Sequence, residues 1–570
     1  MQANSAPETP ETQPSKTSSS PSLGKTFGLV AVLTFLSKFL GLARDIVVLK
    51  AYGAETIADA YNYAALFTGN FFVLFGGLGG PFHQSTVAIL QPRKDDPGVG
   101  RLTFQIIAIT AIVLSFITAV FYLVTPHLVD ILSWLQSTIN SCAASLGFQS
   151  HVSIISNLDL IVKAQKQLLI MLPLILIAGV IGILYGVSNV YGEFKWPSLS
   201  PAIASIVMIA AVLLFKDDLG LCLAYGTLVG AMLQLIAQLP ATLPHMRWQV
   251  STKPEPGVGE YTRMLWPATI GTSIGQLTVY VDSMFAWCLN TGAWTAIVNS
   301  NRLVQLPLGV LLTAMLVPIL PRFSEQVTEN RIDDLKAEFR RGVRILWFLS
   351  LPIAALLIAI PKPILACLYM RGNFTPADVS LFAVALVWLA PSILFYVGRD
   401  LITRVFYAYK DSKTPYQVAM VAIVLKGIFD WVLIKPLGVG GISLSTTLVT
   451  VFNLSALGWL LRRKIGSLGA SLLLRPLAIM LGGSCLCSVI ACYIQKFSMN
   501  ALFPVERNPL LNAETRLTAI EHSHFFFALA VSIAVASAVA FAIYLVICLA
   551  CKLEEPYEVL KRLKRRKSTG

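Results

Sequence analysis

Fourteen runs of apolar residues recur along this chain of 570 residues, each close to the roughly 20 that a helix needs to cross a bilayer. Nothing else constrains its fold as strongly. In hydrocarbon every backbone N–H and C=O must be satisfied within its own element, so the sequence predicts an all-α polytopic membrane protein. The runs are read at 26–51, 58–90, 102–125, 165–192, 198–215, 218–243, 261–289, 294–320, 343–369, 378–408, 414–434, 439–461, 473–495 and 525–551.

With 55% hydrophobic and 13% charged residues, most of the chain is too apolar to form the surface of a soluble domain. The net charge of +14 would suit a nucleic-acid partner. However, Lys and Arg sit in short connections and in the tail KRLKRRK, so topology explains the basicity and no nucleic-acid partner is expected. The nine cysteines lie mostly inside apolar runs, and the lone CxxC, Cys548 to Cys551, has no second one to pair with. His522 and His524 have no Cys or carboxylate cluster beside them, so neither a metal nor a cofactor is expected. Residues 1–23, rich in Ser, Thr and Pro, predict a disordered tail and not a cleavable signal peptide.

If the N-terminus is placed inside, alternate loops carry about twenty-six Lys and Arg against about eight on the other face, and both termini become cytoplasmic. The opposite face has two longer loops, 126–164 and 496–524, and DILSWLQ in the first predicts an interfacial amphipathic turn. No loop has the pattern of a catalytic domain.

An internal repeat shows at the ends of particular spans. The second ends TVAILQPR and the eighth LVPILPR; the fourth ends NVYGEFKWP and the tenth VFYAYKDSKTP. Both matches are offset by six spans, an even number. They predict two parallel six-helix repeats around a central cavity, plus two C-terminal helices. The corresponding divisions are a tail at 1–24, halves at 25–245 and 246–465, two further spans at 466–552 and a basic tail at 553–570.

Ionisable residues inside a bilayer must be paired, snorkelling or lining a watery cavity. In SKFLGLARDIVVLK, Lys38, Gly41 and Asp45 share a helical face with Arg44 beside it, which predicts a cavity wall; Lys50 is an anchor near the outer end. Asp59, Asn62, Tyr63 and Asn70 form one polar stripe on the second span, where Asp59 either lines the cavity or caps near the surface. That span ends in FGGLGGPFHQ, a break that serves either a gate or close packing. In the second half Gly271, Gly275, Thr278 and Asp282 fall along one face, and Asn301, Arg302 and Gln305 occupy consecutive turns. Lys426 and Asp430 are spaced i, i+4, with Ser443, Ser445 and Thr446 early in the next span. They read as a buried ion pair, with an ion- or proton-coupling site, including Asp282 and Thr446, as the alternative. Arg399, Asp400 and Arg404 read as a cytoplasmic anchor. Fixed cations with Asn, Gln and Asp between them suit an anionic, hydroxyl-rich headgroup such as a lipid-linked sugar phosphate.

Four stretches carry a family resemblance: SKFLGLARD, YGAETIADAY, NRLVQLPLGV followed by VPILPRFS, and RVFYAYKDSKTPYQVA followed by GGISLSTTL. Over about residues 26–465 the chain resembles the MurJ (MviN) family of lipid II flippases, within the multidrug, oligosaccharidyl-lipid and polysaccharide exporter superfamily. The resemblance implies a bacterial inner-membrane protein that moves lipid II, the undecaprenyl-diphosphate-linked disaccharide pentapeptide, from the inner to the outer leaflet by alternating access. No covalent bond is changed, and membrane lipids and cell-wall synthesis machinery are the implied partners. It places the family's first-span basic positions on Lys38 and Arg44, its Arg-Asp pair on Arg44 and Asp45, its second-span Asp on Asp59 and its eighth-span Arg on Arg302. The chain departs from the family in lacking a basic residue in FTGNFFVLFGG and in having Asn301 before Arg302 where Asp is common. Some relatives use sodium in the second half; here Lys426 puts an ammonium beside Asp430. The alternative function is a cation-coupled exporter of another lipid-linked oligosaccharide or of small drugs, although a cationic drug does not suit a cavity lined by Lys38, Arg44 and Arg302. A membrane glycosyl- or phosphotransferase would need a surface carboxylate cluster, and no loop supplies one.

Overall fold

A computed structural model describes residues 23–72, 75, 80–145, 158–246, 255–504, 508–510 and 519–557. The N-terminal tail over 1–22, the basic run within 558–570 and the glycines at 76, 77 and 79 lie outside the described residues. Among those described there is no strand. Helices follow in the order α1 (Leu23–Tyr52), α2 (Thr56–Phe71), α3 (Pro81–Leu90), α4 (Val99–Val124), α5 (Leu128–Ser145), α6 (Leu158–Met171), α7 (Leu174–Val190), α8 (Lys195–Leu214), α9 (Leu221–Ile236) and the short α10 (Leu239–Thr242). The second half supplies α11 (Val258–Ala286), α12 (Ala293–Thr328), α13 (Ile332–Ala359), α14 (Pro361–Tyr369), α15 (Pro376–Leu389), α16 (Ser392–Ala408), α17 (Lys413–Leu437) and α18 (Val439–Ile465), and α19 (Ala470–Leu502) and α20 (Ala519–Ala550) close the chain.

Every expected span meets a helix or a broken helix. Eight are long and apolar enough to cross a membrane, and the bent pairs α6–α7 and α15–α16 raise the number to ten. The other four fall on α1, α2 with α3, α11 and α12, which carry most of the polar residues singled out above. Three details differ from the sequence reading. The first long loop contains an 18-residue helix, α5, where a single turn was expected. The second expected span ends one helix at Phe71 and starts another at Pro81, whose missing N–H costs nothing in a first turn. The ninth also breaks, with Pro361 opening α14.

The halves repeat each other in their breaks and in their packing. α6 and α7 meet at Pro173 with a bend of 44°, and α15 and α16 meet at Pro391 with a bend of 42°. Tyr191 follows Pro173 at the same spacing as Tyr409 follows Pro391, and both helices end in the same cap. Gly192 and Lys410 take left-handed backbone angles, φ 79° and 57°. The next N–H then folds back, Glu193 to the Ser188 carbonyl at 2.8 Å and Asp411 to that of Phe406 at 3.0 Å. α1 packs on α8 as α11 packs on α17; α3 on α7 as α12 on α16; α4 on α7 as α13 on α16; and α8 on α9 as α17 on α18. This is a parallel repeat at an offset of six spans. Each half has its own apolar core, and α1 serves both, with Val48 and Tyr52 in one and Leu49 in the other. α19 and α20 pair and lie on α13, where the Tyr544 hydroxyl donates to the Phe348 carbonyl at 3.1 Å.

Candidate functional site

The two halves meet through side chains at a first polar centre on α1 and α12. Arg44 gives Nε and Nη2 to Oδ1 of its neighbour Asp45 at 3.1 and 2.9 Å, and Arg302 brings Nη1 to the same oxygen at 2.9 Å. The Asp45 side chain is 7% exposed, whereas the side chains of Arg44 and Arg302 keep 29% and 37% of their surface open. Two cations share one carboxylate, so the centre has a formal positive excess facing accessible space, the condition for holding an anion. Asn299 adds its Oδ1 to Arg302 Nη1 at 3.4 Å. Nearer the start of α1, the exposed Lys38 runs toward α12, and a Cβ on Gly309 would fall on its ammonium. Gly309 therefore lets a third cation approach the second half.

A second centre lies where α1 ends and α12 begins. Asp59, near the start of α2, is buried and aims both carboxylate oxygens at the N-terminus of α12. Gly292 N–H donates at 2.5 Å, Thr295 N–H at 2.8 Å and the Thr295 hydroxyl at 2.6 Å. These are the orphan donors at the positive end of a helix dipole, satisfied by a carboxylate from the opposite half. Asn62 joins through Nδ2, which donates to the Thr295 hydroxyl at 3.0 Å, and Tyr63 stacks on Trp294 with ring centres 5.5 Å apart. The same end is closed by backbone. Asn373 N–H donates to the Lys50 carbonyl at 3.0 Å and its Nδ2 to that of Ala51 at 2.8 Å. Gly292 and Gly372, with φ of 89° and 62°, have the carbonyls of Ala54 and Lys50 where a Cβ would stand, so only glycine permits this approach.

The third centre belongs to the second half alone. The Lys426 ammonium, 1% exposed, contacts Asp282 of α11 and donates to Asp430 Oδ1 at 2.9 Å, the Ile442 carbonyl at 3.1 Å and Ser445 Oγ at 3.1 Å. The i, i+4 pair legible in the sequence is therefore a cluster of three charges tying α11, α17 and α18 together. Thr446 turns its hydroxyl to the Ile442 carbonyl of its own helix, and Ser445 is the side chain that reaches Lys426.

The structure thus brings Arg44, Asp45 and Arg302 together, with Lys38 on the same seam. Asp59 and Asn62 stand apart from them at the α12 N-terminus, and Asp282, Lys426 and Asp430 form a separate group. Asn70 is buried on α2. Asn301 is half-buried on α12 beside Arg302, and α11 runs through Gly271 and Gly275, whose surroundings lie outside the described residues. Arg399 gives Nε and Nη2 to Asp400 Oδ1 at 2.9 and 2.6 Å and lies over the Tyr396 ring. Gly292, Thr295, Asn299, Gly309 and Asn373 were not singled out from the sequence. The only hints were a Gly two residues before the eighth span and an Asn three residues before Arg302. Among the described residues no cluster of His, Cys, Asp and Glu has the makings of a metal site.

Comparison with known proteins gives the family and the fold. The family profile described as lipid II flippase MurJ matches residues 48–513. A curated relative from Synechocystis, a probable lipid II flippase MurJ, is 30% identical over 488 residues, covering 83% of this chain and 87% of its own length. Among solved structures, lipid II flippase MurJ in an inward closed conformation aligns with a TM-score of 0.67 at 19% identity, over 90% of this chain and 98% of the other. An outward-facing multidrug resistance MATE family transporter of the MOP superfamily aligns with a TM-score of 0.51 at 14% identity, over 78% and 96%. The last two are likenesses of fold, while the profile and the curated relative cover most of the sequence: the chain belongs to the lipid II flippase MurJ family.

Proposed function

We propose that this protein moves lipid II from the inner to the outer leaflet of the bacterial inner membrane, with both termini cytoplasmic and the two transporting halves at 25–245 and 246–465. The observation that carries this reading is the shared centre at Asp45. Arg44 and Arg302 come from opposite halves, retain open surface, and exceed Asp45 by one charge. A diphosphate presents the same acceptor atoms as a carboxylate with more charge, so it competes with Asp45 for both guanidiniums. Lys38 lies nearer the cytoplasmic end of α1 and meets the anion first. Asn70 and Asn301 supply amides suited to the sugar and peptide. No covalent bond changes; the work is an exchange of partners that alters how the halves are held.

Outward opening then requires release of α12 from Asp59 and Asn62, the side-chain part of the outer seal. The group at Lys426 is the place for coupling to an ion gradient or to the membrane potential. Two carboxylates around one ammonium leave a formal negative charge that a proton or a monovalent cation would balance, and an unbalanced charge within the bilayer is costly.

The test is depletion of this protein in cells lacking any other lipid II flippase, with measurement of the leaflet that holds lipid II. Lipid II is expected to accumulate in the inner leaflet, and unchanged arrival outside refutes the reading. Arg44→Ala and Arg302→Ala are each expected to insert at normal levels and fail to complement. Full complementation by both removes these side chains from the mechanism.

A further inference from the structure

Away from all three centres, a cavity of about 680 Å³ opens between the N-terminal half of α13 and the residues that follow α20. Arg340, Arg341 and Arg344 form one wall, and Glu554, Glu555 and Tyr557 the other. Its level in the bundle is set by the sequence on both sides. The apolar run of α13 starts at Ile345, directly after Arg344, and that of α20 ends at Ala550, shortly before Glu554. The cavity therefore lies at the height of lipid headgroups, outside the hydrocarbon.

Its polar atoms are unevenly satisfied. Arg344 donates Nε to Glu555 Oε1 and holds Nη2 3.6 Å from Glu554 Oε2. Arg340 gives Nη1 to the Leu468 carbonyl at 3.3 Å. Glu555 is 2% exposed, yet its second oxygen, Oε2, has no hydrogen-bond donor. A buried carboxylate oxygen without a donor carries its whole desolvation cost, and donors for such atoms come from a ligand or solvent when the protein supplies none. The opposite wall presents three guanidiniums side by side, and phosphate fits their forks of N–H groups. A ligand for this cavity must therefore carry a phosphate and, a few atoms away, a cationic N–H donor, at membrane-surface height.

We propose that this cavity binds the headgroup of an aminophospholipid of the phosphatidylethanolamine class, with the phosphate on Arg340 and Arg341 and the ammonium on Glu555 Oε2. Such a lipid would brace α13 against the end of α20, at the mouth of the second half. Phosphatidylcholine has the phosphate but no N–H, and phosphatidylglycerol has the phosphate but no cation. The site distinguishes these three by the atom that meets Glu555.

The experiment uses the full chain, delipidated in detergent and titrated by native mass spectrometry with lipids of identical acyl chains. The headgroups are phosphatidylethanolamine, its N-methyl and N,N-dimethyl derivatives, phosphatidylcholine and phosphatidylglycerol. On unmodified protein, affinity is expected to persist while one N–H remains and to fall about ten-fold at the choline step, the value of one charge-assisted hydrogen bond. Phosphatidylglycerol is expected to bind between the two extremes. Glu555→Gln should erase the ethanolamine-over-choline preference, and Arg341→Gln should weaken all five lipids. A flat methylation series refutes the proposal without reference to any variant, as does tightest binding of phosphatidylglycerol, which would mark a site for anions alone. Retention of the full preference by a folded Glu555→Gln protein also overturns it.

Discussion

Asp59→Asn tests how the two halves are held at the end where α1 meets α12. In the native protein one carboxylate accepts three hydrogen bonds from the first turn of α12, all buried. An asparagine keeps an acceptor for Thr295 but turns an NH₂ group toward the Gly292 N–H, replacing an attraction with two donors face to face. It also removes the negative charge from the helix N-terminus. A hydrogen bond to a charged group is worth about 1.5–3 kcal/mol and a charge at a helix end up to about 1 kcal/mol, so the closed arrangement loses about 3 kcal/mol. That changes the balance between sealed and open forms by about 100-fold. The readout is the rate at which an impermeant maleimide modifies Ala54→Cys in an otherwise cysteine-free chain. Ala54 is 5% exposed, against Gly292, so labelling reports opening of the seal. The rate is expected to rise about 100-fold with Asp59→Asn and at least about ten-fold with Thr295→Val, which loses the hydroxyl that donates to Asp59 and accepts from Asn62. Equal rates with and without Asp59, in proteins of unchanged melting temperature, would refute the claim that this carboxylate holds the halves together.

Other outcomes follow from the remaining centres. Lys426→Met leaves Asp282 and Asp430 facing each other and is expected to cost about 3–5 kcal/mol, read as a lowered melting temperature in detergent. Adding Asp282→Asn and Asp430→Asn should restore folding; wild-type transport by that triple variant would exclude a coupling role. Outside the membrane, partial burial works to raise Asp217, but hydrogen bonds from the N–H groups of Cys222, Leu221 and Leu219 outweigh it and hold its carboxyl below the ordinary value. A depressed carboxyl stabilises the fold above its unfolded value near 3.8 and loses that contribution as the pH falls through the lower, folded one. Protection of the Leu221 and Cys222 amides, read as exchange relative to the intrinsic rate at each pH, is therefore expected to hold above about pH 4 and fall below it, a change that Asp217→Ala abolishes.

Much of the architecture was legible because the signals involved are local. A span is one apolar run, and its length follows from bilayer thickness. The repeat was legible because NVYGEFKWP and VFYAYKDSKTP are the same helix ending, a Tyr followed by a left-handed residue and a proline beyond. What stayed hidden were meetings between distant segments. The Asp59 stripe gave the correct face of α2, since Asp59 and Asn62 both reach Thr295, but periodicity fixes an angle about the axis and says nothing of which helix end lies opposite. Arg44 and Asp45 were visible as neighbours, whereas the capture of the same carboxylate by Arg302 depends on how α1 and α12 cross. Lys426 and Asp430 were visible as an i, i+4 pair, yet Asp282 approaches from a helix far earlier in the chain. That third charge also changes the appropriate experiment: exchanging Lys426 with Asp430 would set an aspartate against Asp282 and fail even if the cluster were only structural.

The carbonyls of Lys50 and Ala54 resting over Gly372 and Gly292 have a consequence for the working life of the molecule. At those points the end where α1 meets α12 closes main chain on main chain, through groups that water can solvate equally well once they part. Net of that replacement, each backbone hydrogen bond given up costs about 1 kcal/mol, little more than thermal noise supplies. A joint made this way reseats its main-chain contacts without searching for rotamers. Wear over many cycles would then concentrate not in the joint but in any mutation that adds a single methyl group to one of its two glycines.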